Sequence, residues 1–386
     1  MPPERRVVIW RSVLLPASET FVRNHGANLT RWRPAYLGAS KVESPLALDS
    51  DTVAFHGGFL RLRLTGRSRT LTTALRALEP DLVHAHFGGD GWLISGAAAT
   101  LGVPLIVTVH GHDVTRQPDA PGLHGLRYRR NLRTVFGRAS VVLAVSRHIR
   151  AKAIERGANP ATVRVHHTGV PIPETVPAVP KRWDVTFVGR FVEKKGAGDL
   201  LDALARLDRP RALLIGDGPL LAETRARAAA LGLDATFTGA LPPAAVSRHL
   251  AESKLLAAPP KTARDGDSEG LPTTVLEAAA LALPVVATRH SGIPEAVTHG
   301  ETGLLSAEAD PDALAANLRQ VLADDDLRVR LGVRGRELVS ERFDLRKQSL
   351  RLEDLYDEIR AMTRRAVSGT TEIISRPDAS TTGVIT

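Results

Sequence analysis

Short β-branched runs alternate along the chain with longer Ala/Leu/Arg segments of helical period, the βαβ signature of parallel sheets. In the first half the strand-like runs are VVIW (7–10), LVHAHF (82–87), LIVTVH (105–110) and VVLAVS (141–146). In the second they are VTFVG (185–189), ALLIG (212–216), ATFTG (235–239), LLAAP (255–259) and PVVAT (284–288). Between the two sets lies PIPETVPAVPKRWD (171–184), whose four prolines exclude a helix and mark an extended connection. The pattern predicts an α/β protein with one Rossmann-like domain over residues 1–171, a proline-rich linker at 172–184 and a second Rossmann-like domain over 185–345. A last helix is expected over 346–366, followed by a disordered, Thr- and Ser-rich tail at 367–386. Sheets of this kind bind ligands outside the carboxyl ends of their strands, and many of the unusual residues stand just after strands.

Composition agrees with this outline. A chain of 386 residues is comfortable for two domains. With 43% hydrophobic and 24% charged residues it reads as a soluble globular protein. No apolar run approaches the roughly 20 residues of a membrane span. The amino terminus, MPPERRVVIW, lacks the long apolar stretch and cleavage site of a secretory signal, so a cytoplasmic location is expected. The absence of cysteine excludes disulfides, thiolate metal sites and cysteine nucleophiles. The net charge of +9 sits in the first half, where residues 1–180 hold 23 Lys and Arg against 12 Asp and Glu, leaving 28 against 30 for the remainder. FLRLRLTGRSRT (59–70) and LRYRRNLRTVFGR (126–138) interleave arginine with Leu, Phe and Tyr. They suit either an anionic membrane surface or two solvated helix faces. Nucleic acid is not an expected partner, because no recognition motif accompanies the charge and aromatic residues are only 4%.

Two stretches of the second half carry candidate chemistry. In VGRFVEKKG (188–196) a strand ends in Gly189 and is followed by Arg190 and, ahead of Gly196, Lys195. A guanidinium and an ammonium at a strand's carboxyl edge suit a diphosphate, although the same pair standing alone would equally be two exposed loop cations. Further on, DSEGLPTTVLE (267–277) places Glu269 in a loop and Glu277 inside a helix, with Pro272 at its first turn. The N–H groups of Gly270 and Leu271 then lie at a helix N-terminus, a natural anion site. Glu277 can accept from the two neighbouring hydroxyls of a ribose and Glu269 from those of a hexose, so the pair spans a nucleotide sugar.

These elements, the E-x7-E pair (Glu269, Glu277), GRxxxxKG (Gly189, Arg190, Lys195, Gly196), IGDGPL (215–220) and PVVATRHSGIPEAVTHGETGLL (284–305), resemble the retaining glycosyltransferases of family 4. That family has the GT-B fold, two facing Rossmann-like domains with a cleft between them. SETF (18–21), HAHFG (84–88) and TVHGHD (108–113) look most like the exopolysaccharide branch that includes colanic-acid-type transferases. The resemblance covers about residues 5–365 and implies a hexosyltransferase whose donor is a nucleotide sugar, UDP ahead of GDP. It implies that Arg190 and Lys195 bind the donor diphosphate with the amides of Gly270 and Leu271 nearby, that Glu277 holds the ribose, and that Glu269 contacts the sugar. His110 would reach the transferring sugar from the first domain, making His110 and Glu269 the catalytic pair. Asp113 and the loop of Ser18, Glu19 and Thr20 would face a saccharide, lipid-linked or small-molecule acceptor. The last helix would pack back on the first domain. LLPASETF (14–21) replaces the Gly-Gly loop that many members carry after the first strand, so the general acceptor pattern does not transfer.

Retaining transfer passes through an oxocarbenium-like sugar while diphosphate leaves, so the greatest need is to stabilise negative charge. Arg190, Lys195 and a helix N-terminus supply this, and no carboxylate cluster directly follows a strand of the second half. Activity without metal or other cofactor is the expectation. Two rivals remain. His84, His86, His110 and His112 could be ligands of a metal-dependent, amidohydrolase-like site, and the fold could serve a nucleotide-sugar-binding protein without turnover.

Overall fold

A computed structural model describes residues 5–374, and the exposure of side chains to residue 365. Its strands are β1 (Arg5–Leu14), β2 (Trp32–Lys41), β3 (Thr52–Val53), β4 (Leu82–His86), β5 (Leu105–Val109), β6 (Val141–Ala144) and β7 (Val163–Val165) in the first half. The second half holds β8 (Trp183–Val188), β9 (Ala212–Ile215), β10 (Ala235–Gly239), β11 (Ser253–Ala258), β12 (Val285–Thr288) and β13 (Gly303–Ser306). They form two wholly parallel sheets, ordered β3-β2-β1-β4-β5-β6-β7 and β10-β9-β8-β11-β12-β13. In each sheet the order reverses beside the first strand, between β1 and β4 and between β8 and β11, which opens a crevice at the carboxyl edge. Every residue of β4, β5, β6, β9, β12 and β13 is buried, as strands covered by helices on both faces must be.

Four strands escaped the sequence pattern. β2 contains Pro34 and Gly38, which weaken a strand reading, yet it pairs with β1 from Arg5↔Trp32 to Leu14↔Lys41. β3 and β7 have only two and three residues, too short for a period to register, and β13 is a four-residue run, GLLS, with only two strongly apolar positions. Residues 171–182 carry no helix or strand and run extended to β8.

The last helix spans Leu345–Ile374, so residues 367–374 of the expected disordered tail are helical. Propagation adds one hydrogen bond per residue fixed and carries weak formers such as Gly369 and Thr370 along. The remaining tail, 375–386, lies outside the described residues. The chain reaches this helix through a bridge between Val170 and Asp344, then packs Leu352, Leu355, Tyr356 and Ile359 onto Val7, Leu82, Ile106, Val141 and Leu143 of the first sheet. Each such burial is worth about 1.5–3 kcal/mol. No described helix is long and apolar enough to cross a membrane.

Glu353 fixes the register of that helix. Its fully buried side chain accepts from the backbone N–H groups of Thr30 (2.7 Å), Arg31 (2.5 Å) and Trp32 (3.1 Å) and from the Thr30 hydroxyl (3.0 Å). Glu353→Ala orphans three amides at once and is expected to destabilise the fold by about 3 kcal/mol. Denaturant titration followed by circular dichroism checks this, and a midpoint equal to that of the parent chain would contradict it.

Candidate active site

The second sheet contributes the charged side of the cleft. β8 ends at Val188, the loop passes Gly189 and the exposed Arg190, and a short turn at Glu193–Lys195 closes on Gly196 in the left-handed region at φ 70°. A Cβ on Gly196 would collide with the Pro259 carbonyl, so this loop lies directly against the segment after β11. Lys195 Nζ bonds one Glu269 oxygen at 2.9 Å, and Lys194 Nζ approaches the other at 3.3 Å and Asp267 at 3.2 Å. Burial alone would raise the Glu269 carboxyl, but Lys195 and Lys194 outweigh it and hold the group below the usual carboxylate range. Burial likewise works against the Lys194 ammonium, and Glu269 with Asp267 reverses it, so its pKa is raised.

Glu269 is held by its backbone as well. Its N–H donates to His290 Nε2 at 3.0 Å, and His290 Nδ1 lies 2.6 Å from Glu308, so Nδ1 carries the His290 proton. Three residues on, Pro272 is the N-cap of the helix Thr273–Ala280, and no side chain caps that helix. Helix N-termini of this kind can be completed by an anion. Glu277, half-buried in that helix, has its carboxyl pushed up by burial and only partly relieved by Thr273. A desolvated carboxylate with a hydroxyl neighbour and no cation suits further hydroxyl donors.

The first sheet contributes the histidine side. His110 follows β5, and its ring lies 4.7 Å from that of Phe21 and 4.5 Å from that of Phe87. Its Nε2 is 3.1 Å from Nδ1 of His86, the last residue of β4. Burial, and then the Arg11 charge, push the His110 pKa well below the ordinary imidazole value, so the ring is neutral. Arg11 itself is held by Glu19, whose carboxylate it grips through two nitrogens at 2.5 and 2.7 Å, and by Asp90.

The two sides meet at a backbone contact. A Cβ on Gly270 would collide with the His110 carbonyl oxygen, and one on Gly111 would lie 3.0 Å from the Ser268 carbonyl oxygen and 3.1 Å from the Gly270 nitrogen. Around this seam Arg116 pairs with Asp265 at 2.7 Å, while Glu295 accepts from the Arg147 N–H at 2.7 Å and lies 2.9 Å from His167. The seam therefore brings Glu269 and Gly270, with Lys195 on the Glu269 carboxylate, against His110 and Gly111 of the other domain.

The acceptor-side expectations fare differently. Asp113 is spent on backbone amides, accepting from Gly88 at 2.8 Å and from His110 and Gly111 at 3.0 Å each, and it ties the β4 and β5 loops together. Its carboxylate faces those amides rather than the cleft. Glu19 is bound to Arg11, while Ser18 is exposed and Thr20 half-buried at the start of the helix Thr20–Ala27. Lys194, Asp267, His290 and Glu308 belong to the site but drew no role from the sequence. The doubled lysine in VEKKG was the available signal for Lys194; Glu308 offered none, because it joins through the fold. A metal-ligand reading of the histidines is not supported. His84 has both ring nitrogens bonded, to Tyr356 and Thr108, and no group of three or more His, Cys, Asp or Glu able to hold a metal occurs among the described residues.

Comparison with known proteins bears on the same geometry. Residues 172–338 match the family described as glycosyl transferases group 1, and residues 31–173 match glycosyltransferase family 4. The GDP-mannose-dependent alpha-(1-6)-phosphatidylinositol monomannoside mannosyltransferase of Mycobacterium tuberculosis is 30% identical over 82% of this chain and 86% of its own length. The putative colanic acid biosynthesis glycosyltransferase WcaL of Salmonella typhimurium is 29% identical over 72% of this chain and 71% of its own. The amylovoran biosynthesis glycosyltransferase AmsK of Erwinia amylovora is 31% identical over 62% of this chain, which spans 60% of AmsK. Anabaena HepE, solved with UDP and glucose, shares the fold with a TM-score of 0.76 at 20% identity, covering 92% of this chain and all of HepE. Two Rossmann-like domains facing across such a cleft are the GT-B fold, which HepE shares. The chain belongs to glycosyltransferase family 4, with relatives in exopolysaccharide biosynthesis.

Because Lys194 and Lys195 depress the Glu269 carboxyl, the site stays ionised as pH falls through the ordinary carboxylate range. The linked stability is present above that range and is lost as pH falls through the lower folded-state value. Lys194→Met removes one of the two cations, so the acid limb of the kcat/KM profile is expected to move to higher pH. An unshifted limb would mean that Glu269 is not the group titrating there.

Proposed function

We propose that the protein is a retaining hexosyltransferase that moves a hexose from a nucleoside diphosphate sugar to a hydroxyl of a saccharide or lipid-linked saccharide, without a divalent metal. The observation that carries this is the seam itself, where His110 and Gly111 of one domain lie against residues 268–270 of the other, beside Lys194 and Lys195. A sugar seated there would touch Glu269 and His110 while its diphosphate met Arg190, Lys195 and the uncapped helix N-terminus. Those groups offset the charge that grows on the leaving phosphate, which is the role a metal would otherwise fill. Lys194 gives the site a further property. When Lys195 turns to the diphosphate, Glu269 keeps a counter-ion and stays ionised beside the sugar. In this reading neither carboxylate forms a glycosyl-enzyme; the departing phosphate takes the acceptor proton on the same face.

For the donor, UDP-hexoses come first, and HepE was solved with UDP and UDP-glucose. GDP-mannose is the second arm, because the mycobacterial relatives named for it match up to 92% of this chain. In this reading the acceptor is presented at the cytoplasmic face of an anionic membrane. Leu60, Leu64, Leu123 and Leu126 are each more than half exposed, and Arg127 donates to the Arg63 carbonyl, so the two arginine-rich helices present one leucine-and-arginine surface.

The test is a screen of UDP- and GDP-sugars for release of nucleoside diphosphate, followed by acceptor trials with proton NMR of the product anomer. An α-linked donor should yield an α-linked product, chelator should leave the rate unchanged, and Glu269→Gln should lower kcat about a hundredfold or more. An inverted product, or loss of activity to chelator that metal restores, sinks the mechanism. Silence with every donor favours a binding protein without turnover. Vesicles rich in phosphatidylglycerol should bind the protein at low salt and release it as salt rises; absence of binding at low salt points to a soluble acceptor.

A further inference from the structure

Three imidazole rings run as a ladder from the last helix to the cleft. His84 and His86 lie two residues apart on β4 and so share a face. Their rings stack at 4.7 Å, and those of His86 and His110 stack at 5.3 Å. The far end is fully bonded, with His84 Nδ1 at 2.6 Å from the Tyr356 hydroxyl and Nε2 at 2.7 Å from the Thr108 hydroxyl. The near end is not. The 3.1 Å contact uses Nδ1 of His86 and Nε2 of His110 and leaves one nitrogen on each ring. His86 Nε2 is sealed from solvent with no partner. His110 Nδ1 has no hydrogen-bond partner among the described residues, but it is not sealed, since His110 stands half-buried at the cleft.

Burial first, and then the charges of neighbouring histidines and Arg11, keep His86 neutral; burial and Arg11 do the same for His110. Two neutral rings sharing one bond place a single proton between the facing nitrogens. If His110 donates, His86 carries its own proton on the sealed Nε2, an orphaned N–H. If His86 donates, the sealed Nε2 is a bare lone pair, and His110 carries its proton on the cleft-facing Nδ1. Orphaned buried N–H groups are the rarer fault in folded proteins and cost their full desolvation.

We propose that His86 is a positioning residue: it donates Nδ1–H to His110 Nε2 and so fixes His110 as the neutral Nδ1–H tautomer, a hydrogen-bond donor for a hydroxyl of the transferring hexose. This rests on the assignment of His110 to the donor sugar. A neutral donor suits that place, because an imidazolium would oppose the positive charge that develops on the sugar, whereas a bare lone pair would make the ring an acceptor of the hydroxyl's own proton. Setting one ring nitrogen through the bond made by the other is the usual means by which a protein selects a histidine tautomer.

Ring 15N spectra of the wild-type protein, with the His110 signals identified by their loss in His110→Asn, read the tautomer directly. Nδ1–H is expected, and Nε2–H overturns the proposal. In the transfer assay His86→Phe should lower kcat/KM about ten- to hundredfold while nucleoside diphosphate affinity stays within about twofold. His86→Asn, whose amide sits near the Nδ1 position, should restore most of the loss, and His86→Gln, whose amide reaches the Nε2 position, should not. Wild-type kcat/KM in His86→Phe, or equal rescue by Gln, contradicts the proposal. If His86→Phe fails to fold, the wild-type tautomer decides alone. A wild-type protein inactive with every sugar nucleotide defeats the transferase reading instead, and the 15N spectra still judge this one.

Discussion

One carbonyl gathers the cleft. The Gly270 oxygen accepts from the Gly292 N–H at 3.0 Å, the Ser291 hydroxyl at 2.9 Å and the Ser146 hydroxyl at 3.3 Å, joining two loops of the second domain to the first. The same residue has no room for a side chain, because a Cβ would strike the His110 carbonyl. The site depends on that approach. It sets the distance between the histidine side and the glutamate side, and it delivers the chain to Pro272, where the helix Thr273–Ala280 begins. A larger residue at 270 would part the domains at this contact.

Charge then follows from geometry. Glu269 is nearly buried and would favour its neutral form, yet Lys194 and Lys195 approach its two oxygens and keep it ionised. Across the seam the histidines are held neutral by burial and by the nearby Arg11, whose own charge is answered by Glu19 and Asp90. An ionised carboxylate thus stands on the glutamate side of the seam and neutral imidazoles on the histidine side. That arrangement fits a reaction in which positive charge grows on the sugar between them.

Much of this was legible in the chain. The alternation of strand-like runs and helical segments located nine of the thirteen strands and both sheets, because buried parallel strands are long enough to show as apolar runs. The residues proposed for the donor side cluster in two short segments, GRFVEKKG and SEGLPTTVLE, where local spacing carries the chemistry. What could not be read are interactions between distant segments. Asp113 looked like a cleft residue, and only the fold shows its oxygens facing the amides of residues 88, 110 and 111. His84 and His86 left a metal pair open as a rival reading; their partners are Tyr356 and His110, from a helix and a strand end that the sequence places far away. The helical start of the tail was hidden because its composition predicts disorder while its position continues a packed helix.

The central claim is that the Arg190–Gly196 loop and the residues after β11 form one seat for a leaving diphosphate. Isothermal titration of UDP and GDP into the wild type, Arg190→Ala and Lys195→Met measures it without needing the acceptor. The account predicts saturable binding of one nucleotide by the wild type and a loss of at least about tenfold in each variant, the worth of one charge-assisted contact. Wild-type affinity in both variants would contradict it.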